Sequence, residues 1–198
     1  LADKGEEGYT ADDGQTYTGF DLDLAKDVCD RNGWELKVQP IDWDSKDALL
    51  GSGDITCIWN GFTYEGREDQ YAFSEPYMIN AQVIVVKADS DIATLADLKG
   101  SHVITQAGSA ALELLADGGD QADLGKSFAG GKVETIADYK QLDEQLNSEH
   151  YAVGFTKGKD DLATVVTDTL KTMDSEGAVE KLCDKYEDID YTNWCLGK

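Results

Sequence analysis

One stretch in the first half of the chain constrains the fold most, because it joins a buried strand to a cluster of hydrogen-bond donors. Residues 55–59 are rich in β-branched and aromatic side chains, which favours a strand, and Gly61 then permits a tight turn. The side chains of Asn60, Thr63 and Arg67 follow closely. Open α/β sheets bind ligands just beyond the carboxyl ends of their strands, so this stretch predicts a binding site.

Arg67 has the clearest chemical role in this cluster. It is one of only two arginines in the chain. A guanidinium is a planar fork that matches a carboxylate through two parallel hydrogen bonds, which a lysine cannot do. We therefore predict a carboxylate clamp. The alternative is a surface arginine paired with Glu65, Glu68 or Asp69, since surface ion pairs are common.

The composition limits the partners that the protein can bind. With 17 Lys and Arg against 40 Asp and Glu, the chain carries a net charge of -23, which disfavours nucleic acids and anionic membranes. Its 198 residues, 41% of them hydrophobic, suffice for one large domain or two small ones. No apolar run is long enough to span a membrane, and the polar residues 1–7 are compatible with the start of a mature, exported chain.

The order of predicted elements favours an α/β fold. Apolar residues three or four positions apart predict a helix at residues 20–32, and alternation predicts a half-buried strand at 34–41. A short helix at 45–50 then precedes the strand at 55–59. Strands and helices that alternate over short connections are typical of a mostly parallel sheet with helices on its faces.

The middle of the chain adds a candidate anion site. Residues 82–87 predict an apolar strand, and residues 138–146 predict a helix. Between them, Ser109 caps a predicted helix at 110–116, where a first turn of small residues leaves backbone N–H groups free to bind an anion. The alternative is an ordinary capped helix, which is the commoner case.

The four cysteines favour structural roles over metal binding. No CxxC motif occurs, and with only two histidines in the chain a metal site is not expected. Cys183 and Cys195 flank a polar, aromatic tail with little apolar content, so we predict a disulfide that closes this short loop. Cys29 and Cys57 fall on a helix and a strand that should pack together, where buried free thiols are favoured over a bridge.

Six short motifs occur in an order that resembles one protein family. They are GFDLDLA at 19–25, DWD at 42–44, NGFT at 60–63 with Arg67, FSEPY at 73–77, ADLKG at 96–100 and QAGS at 106–109. In these motifs the chain resembles the polar amino-acid solute-binding proteins of ABC importers, the bacterial extracellular solute-binding protein family 3, which have the type II periplasmic-binding-protein fold.

The resemblance implies an α/β fold of two lobes joined by a hinge. Lobe 1 would combine residues 1–86 with residues 151–198, and lobe 2 would be residues 87–150. Closure of the lobes over one ligand would be a ligand-driven shift between two populations.

The resemblance also implies a site for a zwitterion. Arg67 and the backbone near Thr63 would hold the α-carboxylate, the Gly61 carbonyl would accept from the α-ammonium, and Trp43 would stack on the ligand. A zwitterion needs such a fork, such an acceptor and a dry aromatic wall that strengthens both. The full set of predicted ligand contacts is Trp43, Asn60, Gly61, Thr63, Arg67, Ser109 and Ala110.

The chain departs from the family pattern at two places. Family members begin with a strand whose loop contacts the ligand, and here polar residues run straight into Gly8 and Tyr9. Between Ser148 and Glu149 the family has a further strand, an aspartate that grips the ammonium and a helix, and these are absent. Lobe 2 is thereby reduced. Three explanations are open: the segments exist in the protein but are missing from this sequence, they were cut out deliberately, or the chain is a natural minimal variant.

The function that the resemblance implies is a non-catalytic extracellular receptor. It would capture a polar amino acid and deliver it to an ABC permease in the membrane, as a monomer without a cofactor, either periplasmic or lipid-anchored at the cell surface. Trp43 and Trp59 suit an amide, a guanidinium, an aliphatic chain or a disulfide-containing ligand equally well, so the sequence leaves the amino acid open.

Two other functions compete with this one. The departures favour an interaction or scaffold module, natural or engineered, that derives from the fold and has lost its ligand. An enzyme has less support, because no Ser-His-Asp set can be assembled around His102 or His150 and no G-x-S-x-G motif or phosphate loop is present.

Overall fold

The computed structural model describes residues 17–105, 109–129, 140–186 and 189–197. The chain forms two compact units, of which the first is Leu1–Asn80 with His150–Lys198 and the second is Ala81–Glu149. The predicted division into lobes at residues 1–86 with 151–198 and at residues 87–150 stays a prediction.

Six helices and seven strands are defined in the described residues. The helices are α1 (Phe20–Asn32), α2 (Lys46–Ser52), α3 (Ala110–Leu115), α4 (Ala122–Ser127), α5 (Asp160–Ser175) and α6 (Ala178–Cys183). The strands are β1 (Cys57–Ile58), β2 (Tyr71–Phe73), β3 (Met78–Asn80), β4 (Val83–Val86), β5 (Lys140–Gln145), β6 (Glu149–Tyr151) and β7 (Gly154–Thr156). Short 3-10 turns occur at Trp43–Ser45, Leu95–Leu98 and Tyr191–Asn193. Across these ranges, no helix is both long enough and apolar enough to cross a bilayer.

One main hydrophobic core holds the first unit together. Helix α1 turns Phe20, Leu24 and Val28 inward, and the buried face of α5 packs in the same cluster. Gly33 ends α1 in the left-handed conformation, at φ 68°, and its N–H bonds back to the last turn. The helix that we predicted at residues 20–32 is therefore confirmed, together with its glycine stop.

The sheet of the first unit corrects our prediction of a mostly parallel sheet. Strand β7 lies between β1 and β2 and is antiparallel to both, so that Phe155 is opposite Cys57 on one side and Ala72 on the other. Strands β1 and β2 run parallel to each other but do not touch. The sequence pattern missed this order because β7 returns from a distant part of the chain and inserts between two strands that are close in sequence.

The strand predicted at residues 34–41 is wrong. The segment has no regular structure, and Trp34 and Val38 are 39% and 40% exposed. Alternating apolar residues make a stable strand only when a neighbouring strand pairs with their backbone. In the described part of the chain, no strand pairs with this segment.

The helix predicted at residues 138–146 is also wrong where the structure describes it. Residues 138 and 139 lie outside the described residues, and Lys140–Gln145 forms β5, antiparallel to β4 with Lys140 opposite Val86. Pairing with β4 satisfies the backbone groups of an apolar strand that would otherwise lack partners, so tertiary context overrides the local helical pattern.

A smaller core holds the second unit. It consists of buried Ile84, Val86, Leu98 and Leu146, with partly buried apolar side chains from α3 and α4 around them. The turn at Leu95–Leu98 begins with a capping box, in which the side chains of Thr94 and Asp97 satisfy each other's backbone N–H groups.

The chain passes between the two units at two crossings, and hydrogen bonds stabilise the segments near them. Strands β3 and β6 pair with each other. Glu149 is fully buried, and its carboxylate accepts hydrogen bonds from Gln82 Nε2 at 2.6 Å and from Asn147 Nδ2 at 3.2 Å. Because a buried carboxylate needs such donors, these amides stabilise the second unit next to the crossing.

The disulfide predicted between Cys183 and Cys195 is not formed, and the Cys195 thiol instead donates to the Pro76 carbonyl at 3.5 Å. The disulfide prediction underestimated the apolar contacts of the tail. Trp194 and Leu196 are 0% and 2% exposed, so the burial of these side chains stabilises the tail. Its backbone is also fixed, because the Cys195 N–H donates to the Tyr77 carbonyl at 2.9 Å.

The thiols of Cys29 and Cys57 are free, as we predicted. Burial raises the pKa of Cys57 to about 12, and the nearby Cys29 thiolate adds to the shift. Burial also raises the pKa of Cys29. Since the thiolate is the reactive form, these shifts lower the reactivity of both thiols.

Candidate functional site

The predicted donor cluster lies on a loop that the fold holds rigidly. The loop follows β1 and runs beside the segment 150–152. The Ala152 N–H donates to the Phe62 carbonyl at 3.0 Å, and the Tyr64 N–H donates to the His150 carbonyl at 2.9 Å. An antiparallel bridge between Thr63 and Tyr151 lies between these two bonds. We call residues 60–64 the binding loop.

Phe62 is the centre of the site, and the sequence analysis did not single it out. Its side chain is 1% exposed. The rings of Trp43 and Tyr71 meet it edge-on, at centroid distances of 5.7 and 5.0 Å, and the ring of Phe73 lies 5.5 Å away. Aromatic pairs in these geometries stabilise a core beyond the area that they bury.

Arg67 lies over this aromatic centre. Its guanidinium carbon is 5.3 Å from the centroid of Phe62, and Nη1 donates to the Thr63 carbonyl at 3.4 Å. The residue is only 4% exposed, so it does not lie at the surface as our alternative required. A guanidinium removed from water interacts more strongly with a carboxylate than one at the surface, so this arrangement suits an anion clamp.

Trp43 contributes a partly exposed aromatic wall next to Phe62. It begins a 3-10 turn that Asp42 caps by accepting from the Asp44 N–H. The Lys46 ammonium lies 5.0 Å from the centre of the Trp43 ring. The contact of Trp43 with a ligand stays a prediction.

Gly61 adopts a conformation that other residues rarely reach. Its φ is +68°, in the left-handed region, and a Cβ atom there would lie 3.0 Å from Cε2 of Tyr151. Nearby, the Asp21 carboxylate accepts a hydrogen bond from the Tyr77 hydroxyl at 2.9 Å. Asn60 precedes Gly61 on the same loop and is half-buried.

Asp21 is a buried carboxyl group whose pKa is shifted by its surroundings. Burial raises the pKa of Asp21, and the hydrogen bond from Tyr77 opposes this shift only in part. The pKa of the Tyr77 hydroxyl is raised well above its ordinary value by burial and by the neighbouring Asp21 carboxylate. Ionisation of Asp21 is therefore unfavourable because the charge is buried, although it strengthens the hydrogen bond from Tyr77.

We expect the stability contribution of Asp21 to fall as the pH rises. A carboxyl group whose pKa is raised on folding contributes stability that is fully present below its unfolded pKa, about 3.9, and is lost as the pH rises through the folded pKa. In Asp21→Asn, the free energy of unfolding should therefore decline less between about pH 4 and pH 7 than in the wild type. Urea unfolding at several pH values measures this difference. A steeper decline in the variant would contradict the assignment.

Ser109 and Ala110 lie in the second unit, at the start of α3. The Ser109 Oγ accepts from the Leu112 N–H at 3.2 Å and lies 3.0 Å from the hydroxyl oxygen of Thr105. Ser109 therefore caps the helix, as we predicted, and the six-residue helix α3 carries the Ala110 N–H in its first turn. A contact between either residue and a ligand stays a prediction.

The first unit also contains a pocket that differs from the predicted site. It has a volume of about 450 Å³ and is lined by residues that include Tyr64, Phe73, Glu75, Lys157 and Asp160. None of the predicted ligand contacts lines it. The chemistry of the binding loop and of Arg67 is the better guide to the ligand, because this pocket offers no comparable anion fork.

The structure brings together predicted residues of the first unit and adds Phe62 and Tyr151. Trp43 and Arg67 meet at Phe62, the Thr63 carbonyl accepts from Arg67, and the Tyr151 ring lies beside Gly61. Phe62 lies in a motif that we quoted, but the sequence analysis gave it no role. No local sequence pattern could have predicted the contact of Tyr151 with Gly61, since the two residues are far apart in sequence. In the described ranges, no group of three or more His, Cys, Asp and Glu side chains could hold a metal ion.

This organisation defines a class of protein. Two features are typical of an extracellular solute-binding protein. One is a discontinuous α/β unit with a desolvated arginine beside a strand end, and the other is a second unit inserted at two crossings of the chain. Residues 6–188 match the sequence profile of the bacterial extracellular solute-binding proteins, family 3, and the chain belongs to that family.

Named relatives agree with this family. The chain is 30% identical over 192 residues to the arginine-binding extracellular protein ArtP of Bacillus subtilis, covering 88% of this chain and 71% of ArtP. It is 26% identical over 211 residues to the L-cystine-binding protein TcyJ of Escherichia coli, covering 93% and 79%. A solved substrate-binding protein of an ABC uptake transporter from Streptococcus pneumoniae, with bound histidine, has a TM-score of 0.82 at 28% identity and covers 93% of this chain and 89% of its own.

Proposed function

We propose that the protein binds one polar amino acid at the binding loop and Arg67, and delivers it to an ABC permease. The observation that carries this proposal is the position of Arg67, 4% exposed and 5.3 Å above the Phe62 ring. A buried guanidinium that is backed by an aromatic ring is suited to an α-carboxylate, because the ring and the low dielectric strengthen the ion pair without competing for its fork.

The other half of the zwitterion would meet backbone and aromatic groups. The Gly61 carbonyl would accept from the α-ammonium, Asn60 would add a side-chain amide, and the Trp43 ring would stack on the ligand. Ser109 and Ala110 would donate N–H groups from the second unit. The lobe bounds that go with this proposal are the two units of the fold, and their closure would be the step that commits the ligand to delivery.

Named relatives support the ligand class. They bind arginine, cystine, glutamine or histidine, all of which are polar amino acids. We propose the same class for this chain and no single member of it. The family is one of binding proteins, and we propose no catalysis.

A thermal-shift screen against the twenty common amino acids and cystine tests this proposal. A ligand that binds only the folded state raises the apparent stability by about 2.7 kcal/mol at a hundredfold excess over its Kd. We expect one strong responder or a small group of related ones. No response in a cooperatively unfolding protein would overturn the proposal and favour the scaffold or interaction module.

The proposed site of action is outside the cell, either in the periplasm or at a membrane surface through a lipid anchor. We propose that the protein acts as a monomer of 21.6 kDa. Light scattering after gel filtration, with and without the amino acid, measures this mass. A dimer in both samples would contradict the proposed monomer but not the proposed ligand.

A further inference from the structure

The ring of Tyr151 closes the space beside Gly61. A Cβ atom at position 61 would lie 3.0, 3.1 and 3.4 Å from Cε2, Cζ and Cδ2 of that ring. These distances leave room for the glycine hydrogen and for little else. The contact is made by residues on the binding loop and on β6, so one element restricts the backbone of the other.

The backbone of Tyr151 is itself fixed, so that its ring has a rigid base. The Tyr77 N–H donates to the Tyr151 carbonyl at 2.9 Å, and Tyr151 forms the antiparallel bridge with Thr63. One residue earlier, Glu65 accepts from the backbone N–H of His150 at 2.9 Å and lies 2.5 Å from its ring Nδ1. These bonds hold β6 in register with the binding loop.

The backbone next to Gly61 is fixed as well, because the Phe62 carbonyl accepts from the Ala152 N–H at 3.0 Å. This hydrogen bond and the ring beside Gly61 together restrict the rotation of Gly61, whose left-handed φ alone would leave it free to move. These two restraints limit the directions that the Gly61 carbonyl can take.

We infer that Tyr151 is a positioning residue for ammonium recognition: its ring fixes the backbone of Gly61 and thereby aims the Gly61 carbonyl at the ligand. This inference rests on the proposed function, in which that carbonyl accepts from the α-ammonium. The ring acts by its shape, so its hydroxyl is not required for this role. Tyr151 lies on β6, just after the second crossing of the chain between the two units. A rearrangement of β6 would therefore move the ring that restricts the Gly61 backbone.

The test compares ligands with and without an α-ammonium. The probes are L-arginine, L-glutamine and L-histidine, each paired with its des-amino analogue: 5-guanidinopentanoate, 4-carbamoylbutanoate and 3-(imidazol-4-yl)propanoate. Calorimetry gives both Kd values for the best pair in the wild type, Tyr151→Phe and Tyr151→Leu. We expect Tyr151→Phe to keep the wild-type ratio of the two Kd values, and Tyr151→Leu to lower the preference for the amino acid about tenfold while the analogue binds as before.

Equal losses of both ligands in Tyr151→Leu would show a merely structural role and overturn the inference. Failure of the wild type to bind any of the twenty common amino acids or cystine would overturn the proposed function, and the positioning role with it. Intact binding with an unchanged ratio in Tyr151→Leu would overturn the positioning role alone.

Gly61→Ala gives an independent measurement if Tyr151→Leu folds poorly. Its methyl group would press on the ring, so we expect the same selective loss of ammonium recognition in a chain that retains Tyr151. Adding Tyr151→Leu to Gly61→Ala should recover part of that loss, because the smaller side chain makes room for the methyl group. Strictly additive losses of affinity would overturn the inference.

Discussion

Replacing Arg67 with alanine is expected to weaken amino-acid binding by about 3–5 kcal/mol, a loss of roughly a hundred- to several thousandfold in Kd. The guanidinium is buried over Phe62, and its removal would leave the α-carboxylate of the ligand without its fork in a site that excludes water. Titration calorimetry with the amino acid identified by the thermal-shift screen measures the loss.

The chain supplies a matched control for this prediction, because its other arginine lies elsewhere. Arg31 is in the last turn of α1, where it forms ion pairs with Asp27 and Glu176, both at 2.8 Å. Arg31→Ala should leave the Kd unchanged. Arg67→Lys keeps the charge but loses the fork, so it should recover only part of the affinity. Wild-type affinity in Arg67→Ala would remove Arg67 from the site.

Replacing Phe62 with alanine is expected to destabilise the first unit by about 3–5 kcal/mol. The side chain is 1% exposed and touches the rings of Trp43, Tyr71 and Phe73, so its loss would leave a cavity in the middle of an aromatic cluster. For a chain of this size the melting temperature should fall by roughly 6–20 °C. The same variant should bind the amino acid more weakly, since Arg67 would lose the ring beneath it.

Tryptophan fluorescence reports this unfolding selectively, because all four tryptophans lie in the first unit. Trp34→Ala is the matched control, since it truncates an aromatic side chain that is 39% exposed and should change the stability by less than about 0.5 kcal/mol. Equal destabilisation by Phe62→Ala and Trp34→Ala would contradict the role that we assign to Phe62 as the centre of the site.

Local sequence patterns correctly predicted the structural features that depend only on residues close together in the chain. The apolar spacing of α1 and the stop at Gly33 were readable because a helix satisfies its own backbone and needs only one apolar face. The serine cap at Ser109 was readable for the same reason. By contrast, residues 34–41 and Lys140–Gln145 show that a strand depends on its partner: the first segment lacks one in the described chain, and the second acquires one in β4.

The sequence indicated which chemistry the candidate site could have, but it did not indicate which residues pack around the site. The residue type and position of Arg67 indicated a carboxylate fork, whereas its burial depends on the packing of Trp43, Phe62 and Tyr71 around it. The disulfide prediction failed for a similar reason, because nothing local shows that Trp194 is buried against the first unit. Contacts between distant residues, such as Tyr151 with Gly61, need the fold.

The central claim is that Arg67 holds the α-carboxylate of an amino acid. Calorimetric titration of the wild-type chain with the identified L-amino acid and with its methyl ester tests it most directly, because the ester keeps the ammonium and the side chain but has no carboxylate. We predict one site for the free amino acid and a Kd for the ester that is at least about a hundredfold weaker. Equal binding of the two ligands would contradict the claim.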